Sequence, residues 1–254
     1  MRLLLTNDDG IHAPGLAVLE EIAAELAAPE DIWVVAPAFE QSGVGHCISY
    51  TRPLMIAEHG ERRMAVEGSP ADCVIAGVYE AMDGAPDLIL SGVNRGNNSA
   101  ENTLYSGTLG AAIEGALQGV PSIGLSQYYG PASAKAADPF EAARKTGADV
   151  IRRILDAGFD QGAPYPLFYN VNFPPVPAAD VKGARVVPQG VREGVNFGAQ
   201  GDVSPSGRRF LWIKGGNQHV PVAAGTDAAV NMDGYPSVPP MRAELTENAM
   251  LGTE

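Results

Sequence analysis

Leu3-Leu4-Leu5-Thr6-Asn7-Asp8-Asp9-Gly10 opens the chain with an apolar run that meets two acids and a glycine without a polar transition. A continuous apolar run of this length is the pattern of a strand buried on both faces, as in a parallel sheet. Downstream, Leu16, Leu19, Ile22, Ala23 and Leu26 recur at helical spacing, and Ile32–Ala36 forms a second buried strand stopped by Pro37. Ser69 and Pro70 read as N-cap and first residue of a helix, with Asp72 at the third position and Val74, Gly77 and Val78 facing inward. Leu88–Ser91, Pro121–Leu125 and Leu167–Phe173 are further strands. A helix over about Thr108–Gln118 lies between the first two. Asp138-Pro139-Phe140-Glu141 reads as a capping box for a helix running to about Leu155.

This alternation predicts an α/β fold with a mostly parallel sheet and helices on both faces. Two hairpins are expected beside it, one from segments 45–57 and 62–67, the other from 184–189 and 208–214. The expected division is a catalytic domain over 1–180 and a hairpin with a carboxyl-terminal extension over 181–254. The Gly- and Pro-rich stretch 215–240 is too poor in apolar residues for a core of its own. It is expected to pack on the main domain or on another subunit.

Composition narrows the function. Thirty acidic against 17 basic residues give a net charge of −13, so no stable complex with a nucleic-acid backbone is expected. An anionic substrate needs a cation or a local donor cluster to hold it. No apolar run approaches the roughly 20 residues of a membrane span. Met1–Thr6 is too short for a secretory leader, and Cys47 and Cys73 cannot form a disulfide framework. The expected compartment is the cytoplasm.

In a parallel sheet, ligands bind beyond the carboxyl ends of the strands. Those ends carry Asp8 and Asp9, then Ser42, then Asn94, Asn98 and Ser106-Gly107-Thr108. Two carboxylates in a crevice require a proton or cation between them. With Ser42 and Asn94 they make an all-oxygen ligand set suited to Mg²⁺, Mn²⁺ or Ca²⁺. The competing reading is that Asp8 or Asp9 caps the helix that starts near Pro14. Ser106–Thr108 enters a helix N-terminus, where outward N–H groups and the dipole hold an anion, and Asn98 lies beside it. A metal and an anion site side by side point to phosphoryl chemistry. His12 is a weaker catalytic candidate, and Arg95 a candidate phosphate contact. Tyr105, Tyr128 and Tyr129 are candidates for stacking on a base.

Leu4–Ile11, Ala36-Pro37, Gln41–Gly43, Gly68–Val74, Asp87–Asn98 and Tyr105–Thr108, taken in order, resemble the SurE family of survival-protein nucleotidases. The resemblance implies a Rossmann-like domain and a metal-dependent phosphomonoesterase acting on nucleoside 5′- and 3′-monophosphates, in some members also on short polyphosphate. It implies metal ligands at Asp8, Asp9, Ser42 and Asn94, phosphate contacts at Asn98, Ser106, Gly107 and Thr108, and one divalent ion per subunit. It also implies a homodimer or homotetramer with an exchanged carboxyl-terminal extension. Ser69 stands where many members carry Thr, Ala100 where many carry Gly, and Asn102 often corresponds to an acid. Two alternatives remain open from the sequence. One is a haloacid-dehalogenase-type phosphatase with an aspartyl nucleophile, although that type places its acids as Asp-x-Asp. The other is a nucleotide sensor that binds without hydrolysis.

Overall fold

The opening apolar run is a central strand, and its side chains alternate between two cores. Leu3 and Leu5 enter one apolar cluster and Leu4 the other, all three fully buried. The computed structural model describes residues 1–130, 136–163 and 165–246, so the last eight residues of the expected 181–254 extension lie outside it. The chain runs β1 (Leu3–Thr6), α1 (Pro14–Ala24), β2 (Ile32–Pro37), β3 (Ile56–Gly60), β4 (Arg63–Val66), α2 (Pro70–Ala76), β5 (Leu88–Arg95) and α3 (Gly107–Leu117). It continues through β6 (Ser122–Gln127), α4 (Glu141–Ala157), β7 (Phe168–Phe173), β8 (Gly198–Val203), β9 (Arg209–Lys214), α5 (Asp227–Met232) and β10 (Pro240–Met241).

Eight strands form one sheet in the order β10-β7-β6-β5-β1-β2-β4-β3. The six from β7 to β4 are parallel, and β10 and β3 add antiparallel edges. Leu16, Leu19 and Ile22 of α1 pack with Val150, Ile151 and Ile154 of α4 in one cluster, while Cys73 and Val74 of α2 pack with Ala111 of α3 in the other. The fold is therefore α/β and Rossmann-like, as the alternation predicts. The strand order reverses direction at β1, flanked by β2 and β5, so the ends of β1 and β5 border the crevice where such sheets bind ligands.

Several boundaries differ from the sequence reading. The first hairpin is confined to β3 and β4, and the stretch before Ile56 is a loop. Gly43 and Gly45 take positive φ there, and Pro53 breaks any ladder. The second hairpin pairs β8 with β9, not 184–189 with 208–214, and Arg185 makes only a single bridge to Ser237. Gly198–Val203 has no apolar alternation to reveal it. The third strand runs on to Arg95 through an irregularity between Ser91 and Asn94, so Asn94 belongs to the strand itself. At α4 the N-cap is Phe140 without a side-chain bond, and Asp138 instead accepts from the Phe140 N–H (3.0 Å) and from Arg144 Nε (2.8 Å). Ser69 is the N-cap as read, and it forms a capping box with Asp72, whose Oδ2 accepts from the Ser69 N–H at 2.8 Å.

The loop before β3 is tied to α3 by His46 and Glu114, whose Nε2 and Oε2 lie 2.7 Å apart. Burial pushes the Glu114 carboxyl up, but bonds from His46 and Gln118 more than offset this and hold it below the ordinary glutamate value of 4.5. A depressed folded pKa gives stability that is present above the ordinary value and lost as pH falls through the folded one. Glu114→Gln is therefore expected to flatten the loss of thermal stability as pH falls through and below the ordinary glutamate value, read from melting curves. Parallel limbs for both proteins would refute this role.

Candidate active site

The turn after β1 is set by Asn7, which accepts from the Gly10 N–H (3.2 Å) and donates to the Gly10 carbonyl (2.9 Å). Gly10 takes φ +101°, a conformation open to glycine. Neither aspartate caps α1, whose N-cap is Ala13 with no side-chain bond, so the capping reading is set aside. The two acids instead point apart. Asp8 is buried and accepts the Thr108 hydroxyl at the N-terminus of α3 (2.7 Å). Asp9 is half-buried and accepts the Arg95 N–H at the end of β5 (3.3 Å). The β2 loop joins them through the Gln41 N–H, which donates to the Asp8 carbonyl (2.7 Å).

Ser42 is exposed, lines the same cleft as Asp9 and donates its hydroxyl to Glu40 (2.8 Å). Asn94 donates to the Gly96 carbonyl (3.0 Å), which leaves its own side-chain oxygen as an acceptor. Burial raises the Asp8 carboxyl to about 7, with Asp9 adding to the shift. Burial also raises Asp9, and the nearby Glu40 charge adds to it. Glu40 is a third carboxylate that the sequence reading missed, because it precedes Ser42 in a loop without periodicity. Among the described residues, no three His, Cys, Asp or Glu side chains are grouped to share a metal ion. Two carboxylates and the neutral oxygens of Ser42 and Asn94 are donor chemistry that suits a hard divalent cation with open positions. Such a cation would compensate the buried Asp8 and half-buried Asp9 charges.

The residues expected to hold an anion lie on the Asp8 side. Ser106 caps α3, accepting from the Leu109 N–H (3.1 Å). A Cβ on Gly107 would stand 2.9 Å from the Asp8 Cβ and 3.2 Å from its Oδ2, so only glycine lets the helix start this close to the acid. Asn98 is held by a buried polar network unseen in the sequence reading. Its N–H donates to Asn172 Oδ1 (2.7 Å), its Nδ2 donates to Ser126 Oγ (2.8 Å), and Asn170 Nδ2 donates to its carbonyl (2.9 Å). Asn170 and Asn172 are fully buried in β7, where an apolar strand run conceals their role. Asp227 of α5 steadies the same loop by accepting from the Ala100 N–H (3.0 Å). Ala100 sits at φ +53°, which explains why glycine is common there in the family it resembles.

Of the remaining candidates, Arg95 and Tyr129 line the Asp9 cleft, and the others pack elsewhere. The His12 ring packs edge-on against His59 (5.2 Å between centroids). Tyr128 is buried, and Tyr105 packs against Phe197 (4.7 Å). The Arg95 guanidinium lies over the Tyr129 ring (5.5 Å to its centre). Cys73 is buried in the core and Cys47 is exposed, both unpaired.

Fold and site together define a Rossmann-like α/β protein that gathers an acidic pair and a helix N-terminus at its topological switch point. A family model described as survival protein SurE matches residues 3–196. The chain is 65% identical over 253 residues to the 5′-nucleotidase SurE of Ruegeria pomeroyi, covering 99% of this chain and 97% of that one. It is 66% identical over 250 residues to the 5′-nucleotidase SurE of Jannaschia sp., covering 97% and 95%. The solved SurE protein from Aquifex aeolicus superposes with a TM-score of 0.80 at 33% identity, covering 99% of this chain and 97% of that one. The chain belongs to the SurE family.

Proposed function

We propose that this protein is a divalent-metal-dependent nucleotidase that hydrolyses nucleoside 5′- and 3′-monophosphates, with short polyphosphate as a further substrate. The observation that carries the reading is the placement of Asp8 between a second carboxylate, Asp9, and the N-terminus of α3. In this reading Asp8, Asp9, Ser42 and Asn94 hold one Mg²⁺, Mn²⁺ or Ca²⁺ ion per subunit. When bound, the ion supplies charge neutralisation for phosphoryl oxygens and acidity to a water. Ser106, Gly107 and Thr108 hold the phosphate with hydroxyls and first-turn N–H groups, and Asn98 completes the cradle. Asp8 or Asp9 orients the attacking water and takes its proton. The test is phosphate release from a panel of nucleotides with EDTA, then with each metal restored. Metal-restored release is the expected result, and no release under any metal would sink the reading.

The acting unit we propose is a homodimer or homotetramer, working in the cytoplasm without stable nucleic-acid or membrane partners. Among the described residues, no helix is long and apolar enough to cross a membrane. The support for assembly is the β8–β9 hairpin, which among the described residues pairs only with itself. Phe210 and Trp212 are exposed on one face and Leu211 and Ile213 on the other. An isolated two-stranded hairpin is marginal in water, and apolar surface on both faces calls for a partner surface. Replacing Leu211 and Trp212 together by Asp is expected to lower the mass measured by light scattering. An unchanged mass would exclude the hairpin as the contact.

A further inference from the structure

Asp8 and Asp9 leave β1 in opposite directions, and this separates two sides of the site. The Asp8 side is filled by α3. The Asp9 side opens into a cleft of about 630 Å³ that also contains Ser42, Arg95, Tyr129, Asp138 and Phe140. That volume lies within the ~300–1,000 Å³ of small-molecule sites. The hollow beside Tyr105 measures about 60 Å³, and Phe197 already covers that ring. Of these two hollows among the described residues, the one past Asp9 is the one with room for the rest of an ester whose phosphate is held at α3.

The cleft wall is built for a flat group. Arg95 lies over the Tyr129 face, and Tyr129 meets Phe140 edge-on at 5.8 Å. The other cation of the cleft, Arg144, is committed to Glu21 and Asp138. Arg95, by contrast, is exposed and has no carboxylate within ion-pair distance among the described residues. Its guanidinium also hydrogen-bonds the Tyr129 side chain, and with five N–H donors it keeps others for ring nitrogens and carbonyl oxygens. Its own backbone N–H is what holds Asp9, so the ledge begins one residue from the proposed metal site.

We propose that the Arg95–Tyr129 ledge binds the base of the leaving nucleoside, with purines favoured for their larger stacking surface. This rests on the nucleotidase reading above and adds to it a specificity-determining pair. The test compares kcat/KM for a purine nucleoside 5′-monophosphate with that for ribose 5-phosphate, which has no base. Base stacking is worth ~1–3 kcal/mol, so the ratio is expected to fall about tenfold in Arg95→Ala and in Tyr129→Ala. Tyr129→Phe is expected to retain the ratio, and Arg95→Lys to lose it. Calorimetry on free adenosine provides a readout independent of turnover, and its Kd is expected to rise about tenfold in Arg95→Ala. Unchanged ratios in both alanine variants would overturn the proposal. An equal loss on ribose 5-phosphate would also overturn it, since Arg95 would then be a phosphate contact. Absence of phosphate release from every ester would defeat the nucleotidase reading alone, because adenosine binding would still decide the ledge.

Discussion

Asp8→Asn is expected to lower kcat/KM by at least about 10³-fold, near 4 kcal/mol of transition-state stabilisation. The variant keeps the shape of the side chain and an oxygen for the Thr108 hydroxyl, so the turn after β1 and the start of α3 are expected to stay in place. What it removes is the one carboxylate of the pair that the site buries fully. The metal-free variant is therefore expected to be more stable than the metal-free parent, by about 1–3 kcal/mol, because an uncompensated buried charge is gone. Added metal is expected to raise the melting temperature of the parent and leave that of the variant unmoved. This opposition of stability and turnover is what a ligand role produces and a packing role does not. Full activity of the variant with metal present would remove Asp8 from the mechanism.

The second large effect is expected from Gly15→Ala, a substitution that raises helix propensity in most contexts. Here a Cβ would lie 2.0 Å from the Val93 carbonyl oxygen and 3.1 Å from its carbon. Both atoms are backbone, so the first turn of α1 must lift off β5. Overpacking of this kind costs roughly 1–3 kcal/mol and at times more. At ~2–4 °C per kcal/mol for a chain of about this size, a fall of roughly 5–10 °C in Tm is expected. Val93 precedes Asn94, so activity is expected to fall as well through displacement of that side chain. Gly162→Ala is the control, since nothing lies within 4 Å of its Cβ. A Gly15→Ala melting temperature within a degree of the parent would refute the close-approach argument.

Both effects converge on the same strand ends, and the sequence makes the reason legible. Buried parallel strands are written as apolar runs, and the residues just past the carboxyl end of such a run face the binding crevice. That rule points to Asp8, Asp9 and Ser42 as candidates beyond the strand ends, whereas Asn94 lies within the longer β5. The hairpin strand at Gly198–Val203 escapes it because its burial pattern is set by no core of this chain. Asn170 and Asn172 escape it for the opposite reason. They stand inside a strand that reads as core, and only their partners on the Asn98 loop show that the core there is polar.

The sequence by itself determined the parallel α/β architecture, the two-sided apolar packing of β1 and the residue types gathered beyond the strand ends. These are local properties, carried by periodicity of 2 and 3.6 and by turn chemistry. Only the tertiary structure decided that Asp8 turns to α3 and Asp9 to Arg95, that Glu40 joins them, and that Gly15 and Gly107 must stay small. Those facts depend on contacts between segments as many as 100 residues apart, as between Asp8 and Thr108. A short window of sequence records what a segment prefers, while the approach of distant segments is settled by how the whole sheet and its helices close upon one another.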